Sequence, residues 1–344
     1  MDAARLETSL AGINDFYNRY LDYLSSRILG YEKTLERLFI AFLCGGNVLL
    51  EGAPGLGKTS LAKAWAAFFG LEFSRVQFTP DLMPLDIIGS NILEDGPAGR
   101  RFTFYRGPIF ANVILGDEIN RATPKTQSAF LEAMEERRVT FLGTVYPLPD
   151  PFFVIATQNP IELEGTYPLP EAQVDRFFMK LRFSMPDFHA LKGIIDLADK
   201  RIPGKQADPA ALAQESKDSL ALWTELAPEL TAPDGVKSYI VRIVQETHPD
   251  RSGVDIIKRF CRYGASPRSA ISLHAAARAK AALDGRPNPS YDDVDELLLD
   301  VAGHRIILNF EAEAEGITVD SVLNEVRNSV RREFSLREVQ GAGA

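Results

Sequence analysis

The chain has 344 residues, of which 45% are hydrophobic and 25% are charged, and this balance excludes extended disorder. Acidic residues outnumber basic residues by 47 to 38, and the resulting net charge of −9 argues against nucleic acid or an anionic membrane as the main partner. No apolar run reaches the ~20 residues of a membrane helix and the first ten residues carry no apolar leader, so we expect a cytoplasmic protein without membrane insertion.

The first part of the chain alternates between helix and strand patterns. Two amphipathic helices are predicted over residues 6–29 and 31–43. They are followed by a buried strand over 47–51, a glycine-rich turn, a helix over 58–69 and a second strand over 72–77. This strand–loop–helix–strand order predicts the opening of a parallel α/β sheet.

Two hairpins are predicted to interrupt this α/β frame. The first spans about residues 88–106 around a polar turn, and the second spans about 139–146 around a glycine. Between and after them we predict buried strands at 112–115 and 152–157 and a helix over 124–138 that begins with proline.

The pattern changes near residue 185, beyond which it is helical. The predicted helices cover about 187–199, 209–227, 235–247, 267–283, 291–309 and 317–333. We therefore predict two domains, an α/β domain over residues 1–185 and an all-helical domain over residues 186–344.

The glycine-rich turn has the spacing G-x-x-x-x-G-K-[ST] of a P-loop. Backbone N–H groups of such a loop point at phosphates, and the helix that follows adds its positive N-terminal end. Lys58 is predicted to reach the β- and γ-phosphates of ATP, and the Thr59 hydroxyl to hold Mg²⁺. A chance glycine turn is a poor alternative, because the motif lies between a strand and a helix. The residues predicted to bind ATP here are Gly52, Ala53, Pro54, Gly55, Leu56, Gly57, Lys58, Thr59 and Ser60.

Two acidic residues follow the strand at 112–115. At the carboxyl edge of an α/β sheet, Asp117 is predicted to complete the Mg²⁺ sphere through water. Glu118 is predicted to orient the attacking water and partly deprotonate it. The alternative is a solvated acidic pair, which the preceding P-loop disfavours.

Asn159 follows the strand at 152–157, which ends in polar amides. Its side chain can reach either the γ-phosphate or the attacking water. The alternative is a capping or turn residue before Pro160.

Two arginines complete the set of candidate residues. Arg176 follows a short helix that begins near Pro170, and Arg268 opens a helix of the second domain. A guanidinium is permanently charged and matches phosphate oxygens with two donors, so either arginine can stabilise a departing γ-phosphate. A surface salt bridge remains the alternative for each of them.

The order of these motifs resembles that of the AAA+ ATPases, and the match is closer to the MoxR family. The segments that carry this resemblance are RGPIFAN at 106–112, DEINRA at 117–122, QSAFLEAMEE at 127–136, ATQNP at 156–160 and GASPR at 264–268. The resemblance covers roughly residues 28–305. It implies a P-loop NTPase core with a parallel sheet, containing Walker A and Walker B motifs, followed by an all-α lid.

The resemblance also implies roles for individual residues. Asn159 matches sensor 1, Arg176 matches an arginine finger that acts on a neighbour's ATP, and Arg268 matches sensor 2. Leu29 and Gly30 fall where the family packs around adenine. The first hairpin matches the helix-2 insert of this clade and the second its pre-sensor-1 hairpin. Because the lid is repositioned in this clade, action of Arg268 in cis and in trans are both left open.

The function implied by the resemblance is ATP-driven, chaperone-like remodelling or maturation of a protein partner, including metal-centre insertion. Members form homo-oligomeric rings, usually hexamers, and are often paired with partners that bear a von Willebrand A domain. A DNA motor is one alternative; arginines at 100–101 and 137–138 flank the hairpins, but the tip at 141–144 has no basic residue. A nucleotide-gated scaffold with little turnover is another, and the complete set of hydrolytic residues argues against it. No local feature identifies the client, the pathway or the subunit number.

Overall fold

A computed structural model describes residues 2–96, 99–160, 165–200 and 209–341. Its helices are α1 (Ala3–Ser25), α2 (Glu32–Leu43), α3 (Lys58–Phe69), α4 (Pro84–Ile88), α5 (Pro124–Glu136), α6 (Glu171–Val174), α7 (Phe188–Lys200), α8 (Pro209–Leu226), α9 (Asp234–Glu246), α10 (Asp255–Phe260), α11 (Pro267–Leu283), α12 (Tyr291–Ala302), α13 (Phe310–Ala314) and α14 (Val319–Gly341). Its strands are β1 (Val48–Glu51), β2 (Phe73–Gln77), β3 (Gly89–Gly96), β4 (Gly99–Arg106), β5 (Val113–Asp117), β6 (Arg138–Phe141), β7 (Thr144–Pro147), β8 (Phe153–Gln158), β9 (Met179–Arg182), β10 (Cys261–Tyr263) and β11 (Ile307–Leu308).

A five-stranded sheet with the order β2-β5-β8-β1-β9 forms the frame of the site. The pairs β2–β5, β5–β8 and β8–β1 are all parallel. At the carboxyl ends Gln77 pairs with Asp117, and Glu51 pairs with Gln158. The glycine loop, the acidic pair and the segment around Asn159 therefore leave the sheet at one edge, as the predicted parallel α/β sheet requires.

Burial on both faces explains why the central strands are continuously apolar. All five residues of β5 are buried. On β8, the ring of Phe153 stacks on Trp65 of α3 at 4.8 Å, and Phe42 of α2 meets Trp65 edge-on at 4.7 Å. A second apolar cluster contains Phe78 and Phe130, whose rings pack edge-to-face at 5.2 Å.

The two predicted hairpins are present and contact each other. Strands β3 and β4 pair along their whole length, from Gly89 opposite Arg106 outward, and β6 pairs with β7. The ring of Phe104 stacks on Tyr146 at 4.2 Å and lies 5.2 Å from Phe141. Aromatic stacking thus joins the two hairpins.

Contacts divide the chain into two units. The sheet unit comprises Asn18–Phe177 and Leu181–Asp218, and the helical unit comprises Met1–Tyr17, Phe178–Lys180 and Ser219–Ala344. This division differs from the predicted boundary at residue 185. The start of α8 belongs with the sheet unit, because Ser216 donates a hydrogen bond to the Phe68 carbonyl at 3.3 Å.

The helical unit is built mainly from α9, α11, α12 and α14. Tyr239 of α9 centres an aromatic group, 4.8 Å from Tyr291 and 5.3 Å from Phe334. Its one described ribbon pairs β10 with β11 in antiparallel fashion. None of the helices in the described parts of the chain is long and apolar enough to cross a membrane.

Some predicted bounds are wrong for identifiable reasons. The predicted helix over 291–309 is too long, since α12 ends at Ala302 and Ile307–Leu308 pairs with β10 instead. The prediction also omits β9, a strand of only four residues in which the buried Met179 and Leu181 alternate with Lys180 and Arg182.

Candidate functional site

The glycine loop joins β1 to α3 and presents an open surface. Gly55 and Gly57 have φ of +81° and +91°, a conformation that favours glycine. A Cβ built on either residue meets no atom within 4 Å, so their backbone conformation and not lack of space requires glycine. Pro54 and Ser60 are exposed, whereas Ala53, Leu56 and Thr59 are half-buried.

Gly52 begins this loop under a different constraint. A Cβ at this position would lie 2.1 Å from the carbonyl oxygen of Phe183, which is backbone and cannot rotate away. We expect Gly52→Ala to lower the free energy of unfolding by about 3 kcal/mol, at the upper end of overpacking costs. Urea denaturation measures this, with Gly253→Ala as control, because its nearest neighbours lie 3.9 Å from the added Cβ. Equal denaturation midpoints for the two variants would contradict the close packing of the loop.

Lys58 lies at the base of the loop and is 8% exposed. Its ammonium donates hydrogen bonds to the carbonyls of Gly52 at 2.6 Å and Ala53 at 3.2 Å. Burial lowers the pKa of Lys58, and the charges of Asp117 and Glu118 act in the opposite direction. The lysine therefore lies within the electrostatic field of the acidic pair while bonded to its own loop.

The segment predicted to contact adenine lies beside the loop. Gly30 has a φ of +81°, and a Cβ there would be 2.6 Å from Cβ of Ala190. Tyr31, which the sequence reasoning missed, stacks on Phe183 with ring centroids 4.0 Å apart. Its hydroxyl donates to the Leu56 carbonyl at 3.2 Å. The half-buried Leu29 precedes these residues, so the segment is fastened directly to the glycine loop.

Both carboxylate oxygens of Asp117 have partners. Thr157 of β8 donates its hydroxyl to Oδ1 at 2.7 Å. Arg75 of β2 donates to Oδ2 from Nη2 at 2.6 Å and from Nε at 3.1 Å. Residues of two flanking strands thus fix the orientation of this carboxylate.

Glu118 follows in a strained backbone conformation, with φ of +58°. Its N–H donates to the Thr157 hydroxyl at 2.8 Å, which secures the turn. Its Oε2 accepts from Nε2 of Gln77 at 3.2 Å and pairs with Nε of Arg121 at 3.1 Å. Glu118 therefore combines a strained backbone with a side chain that two neighbours hold at the carboxyl edge of the sheet.

Asn159 is buried, and its carbonyl accepts from Nδ2 of Asn120 at 3.4 Å. The fully buried Gln127 donates from Nε2 to the Tyr167 carbonyl at 2.9 Å and to two carbonyls of the turn after the acidic pair. The N–H of Tyr167 donates to the Asn120 carbonyl at 2.7 Å. These bonds fasten the acidic turn to the segment that leads into α6.

Arg176 lies just after α6 and is held against α5. Its guanidinium pairs with Glu135 at 2.8 Å, and both side chains are about one-third exposed at 34%. Gln173 of α6 also donates to the hydroxyl of Ser128 on α5 at 3.1 Å. This arginine is thus oriented by α5 while part of its side chain reaches the surface.

Arg268 is exposed at the start of α11, in the helical unit, whereas the other candidate residues lie in the sheet unit. The turn before it is fixed within its own unit. Ala265 donates its N–H to Thr247 at 2.9 Å, and its carbonyl lies 3.0 Å from Nε2 of His248.

Four side chains that hold the acidic pair have no role predicted from the sequence, namely Arg75, Gln77, Arg121 and Thr157. A signal was present, because Arg75 and Gln77 are polar at alternate positions of β2, whereas the central strands of the sheet are mainly apolar. Pairing of β2 with β5 brings this polar pair beside the acidic residues. The position of Arg75 and Gln77 beside the acidic pair could not be predicted without the strand order.

Comparison with known proteins gives consistent matches. Residues 47–179 match the family described as "ATPase family associated with various cellular activities (AAA)", and residues 255–326 match the AAA lid domain. The chain is 41% identical to Chaperone MoxR1 of Mycobacterium tuberculosis over 304 residues, covering 88% of this chain and 78% of that protein. It is 32% identical to Protein MoxR of Paracoccus denitrificans, over 87% and 91% of the two chains. A solved structure from Cytophaga hutchinsonii has 37% identity and a TM-score of 0.83, covering 93% of this chain and 96% of the other.

Proposed function

The chain belongs to the MoxR family of AAA+ ATPases, and from that premise we propose that it hydrolyses ATP to ADP and phosphate to remodel or mature a protein partner. The observation that supports hydrolysis is the placement of Asp117 and Glu118 at the same sheet edge as the glycine loop, each carboxylate held by two side chains. This is an arrangement for positioning a water next to a bound phosphate.

The residues present fit a nucleotide with Mg²⁺. The surface over Gly55 and Gly57 is open, so backbone N–H groups there can approach phosphates. Thr59 and Asp117 supply the hydroxyl and carboxylate oxygens that Mg²⁺ prefers, and they would hold the cation. When bound, Mg²⁺ would neutralise charge on the β- and γ-phosphates.

The protein's own side chains then have distinct tasks. Lys58 exchanges its loop carbonyls for phosphate oxygens, and Glu118 accepts a proton from the attacking water. Asn159 orients that water or the γ-phosphate. Leu29 and Gly30 pack on the adenine side of the loop.

We infer further that the active form is a ring, with six subunits as the expected number. Arg176, partly exposed just after α6, would then stabilise the γ-phosphate of a neighbour's ATP, and Arg268 would contact nucleotide from the lid, in cis or in trans. A chaperone-like role is supported by the name of the M. tuberculosis relative. A protein with a von Willebrand A domain is the partner we propose.

The hairpins favour a protein client over DNA. Both hairpins expose apolar side chains, namely Phe102 at 72% on a strand of the first and Leu142 at 80% in the turn of the second. The flanking arginines already have partners: Arg100 pairs with Asp95 at 3.0 Å, Arg101 with Glu94 at 3.9 Å and Arg138 with Glu136 at 2.9 Å. The hairpins therefore carry mixed charge and not the continuous basic patch that is typical of a surface that binds a phosphate backbone.

ATP turnover per subunit, measured as protein concentration rises, tests the proposal. A rise that saturates supports sites completed by a neighbour. Constant turnover above background would mean that each subunit is self-sufficient, which contradicts the assignment of Arg176 to a neighbour's site. Turnover near zero throughout, with ATP still bound, would instead favour a nucleotide-gated scaffold.

A further inference from the structure

Arg75 has a place in the site that neither the P-loop nor the acidic pair explains. It lies on β2, in the strand next to Asp117, and directs both Nε and Nη2 to Oδ2 of that carboxylate. The other oxygen, Oδ1, accepts from Thr157. The oxygen that Arg75 occupies is therefore the one that Thr157 leaves available to a cation.

The ion pair between Arg75 and Asp117 compensates a carboxylate that is largely buried. The side chains of Asp117 and Glu118 are only 11% and 16% exposed, so each carboxylate requires compensation. Lys58 is hydrogen-bonded to loop carbonyls, and Arg121 pairs with Glu118. Among the described residues, Arg75 is the cation in direct contact with Asp117.

Two N–H donors of Arg75 point at Oδ2 of Asp117, the oxygen that a water ligand of the cation would need as acceptor, and the guanidinium charge also repels a divalent cation in a partly dry site. Resting on the proposed function, we propose that Arg75 competes with the divalent cation of the nucleotide for Asp117, and so sets the cation concentration at which nucleotide binds tightly. Arg75 is 44% exposed, so its side chain has room to leave toward solvent when it is displaced.

Displacement of Arg75 also affects the position of Glu118, because Gln77 is hydrogen-bonded to both residues. The amide of Gln77 accepts from Nη2 of Arg75 and donates to Oε2 of Glu118 at 3.2 Å. Loss of Arg75 removes the donor that fixes one end of this amide, which weakens the hold of its other end on Glu118. Arg75 is thus a positioning residue. When it leaves Asp117, the side chain of Glu118, the acid proposed to activate water, is held less firmly.

The test measures the affinity of the full chain for a fluorescent ADP analogue as MgCl₂ is titrated, with no turnover required. Arg75→Gln should lower the Mg²⁺ midpoint about three- to tenfold, as expected for removal of a charge-assisted pair at a partly exposed site. Arg75→Lys keeps the charge but loses the two-donor contact, so its midpoint should fall by a smaller factor. Arg138→Gln, which removes an exposed arginine paired with Glu136, is the matched control and should leave the midpoint unchanged.

Unchanged midpoints in both Arg75 variants would overturn the competition. Higher midpoints would also overturn it, since they would make Arg75 a contributor to binding of the metal–nucleotide. If Arg75→Gln does not fold, Arg75→Lys decides the question by the direction of its shift. Failure of the wild-type chain to bind the analogue with Mg²⁺ would refute the proposed function itself, whereas wild-type binding with unshifted variants refutes only the role of Arg75.

Discussion

Replacement of Glu118 by glutamine is expected to lower ATP turnover at least about 100-fold while leaving ATP affinity within about twofold, because an amide cannot accept the proton of the attacking water. Glutamine has nearly the shape of glutamate, and Thr157 still holds the backbone N–H of this residue. The strained turn at φ +58° should therefore persist. Single-turnover hydrolysis and equilibrium binding, measured on the same preparation, separate the two effects.

The matched control for this prediction is Glu132→Gln. Glu132 is an exposed acid on α5, so this variant makes the same change of charge away from the acidic pair. It should retain wild-type turnover. Normal turnover in Glu118→Gln would remove Glu118 from the water-activating role and leave Asp117 as the remaining acid of the pair.

Removal of the Arg176 side chain should lower turnover of the assembled protein by about 1,000-fold, the low end for loss of an arginine finger. The ATP affinity of the isolated subunit should not change if Arg176 acts on a neighbour's site. Arg176→Ala also removes the ion pair with Glu135, but both side chains are partly exposed and this ion pair contributes little to stability. Turnover at saturating protein concentration and binding at low concentration provide the two readouts.

Mixing two inactive variants distinguishes action in trans from action in cis. In a mixed ring, an Arg176→Ala subunit supplies an intact glycine loop and Glu118. If its neighbour is a Glu118→Gln subunit, that neighbour supplies Arg176, and the shared site contains every proposed residue. Random mixing at equal amounts places such pairs at about a quarter of the interfaces of a ring, and this fraction of wild-type turnover should return. No recovery in mixed assemblies would place Arg176 in its own subunit's site. Weakened nucleotide binding by the isolated Arg176→Ala subunit would lead to the same conclusion.

Features encoded in contiguous residues are predictable from the sequence alone. The helix predicted over 58–69 has the bounds of α3, because the glycine loop before it and Gly70 after it both mark its ends. The strands that end at the glycine loop and the acidic pair carry continuous apolar runs, which buried parallel strands require. Family resemblance supplied the expected fold, and the AAA and lid matches confirm it.

Contacts across the sheet were not predictable in the same way. Arg75 precedes Asp117 by 42 residues, and their contact depends on β2 being the neighbour of β5. In the helical unit, the apolar pattern of α12 continues past Ala302 into residues that form a short 3₁₀ turn and then β11. A helical pattern cannot show where a strand from elsewhere will pair with the chain.

The hydroxyl of Thr157 has a consequence for how this site can vary in evolution. One oxygen atom gives its proton to the carboxylate of Asp117 and receives the N–H of Glu118, and the residue is fully buried. Valine has nearly the same shape but lacks the hydroxyl, so that substitution would remove both bonds at once. Serine retains them and loses only a methyl group. A substitution at residue 157 therefore affects Asp117 and Glu118 together. We expect only threonine and serine to be tolerated at this position.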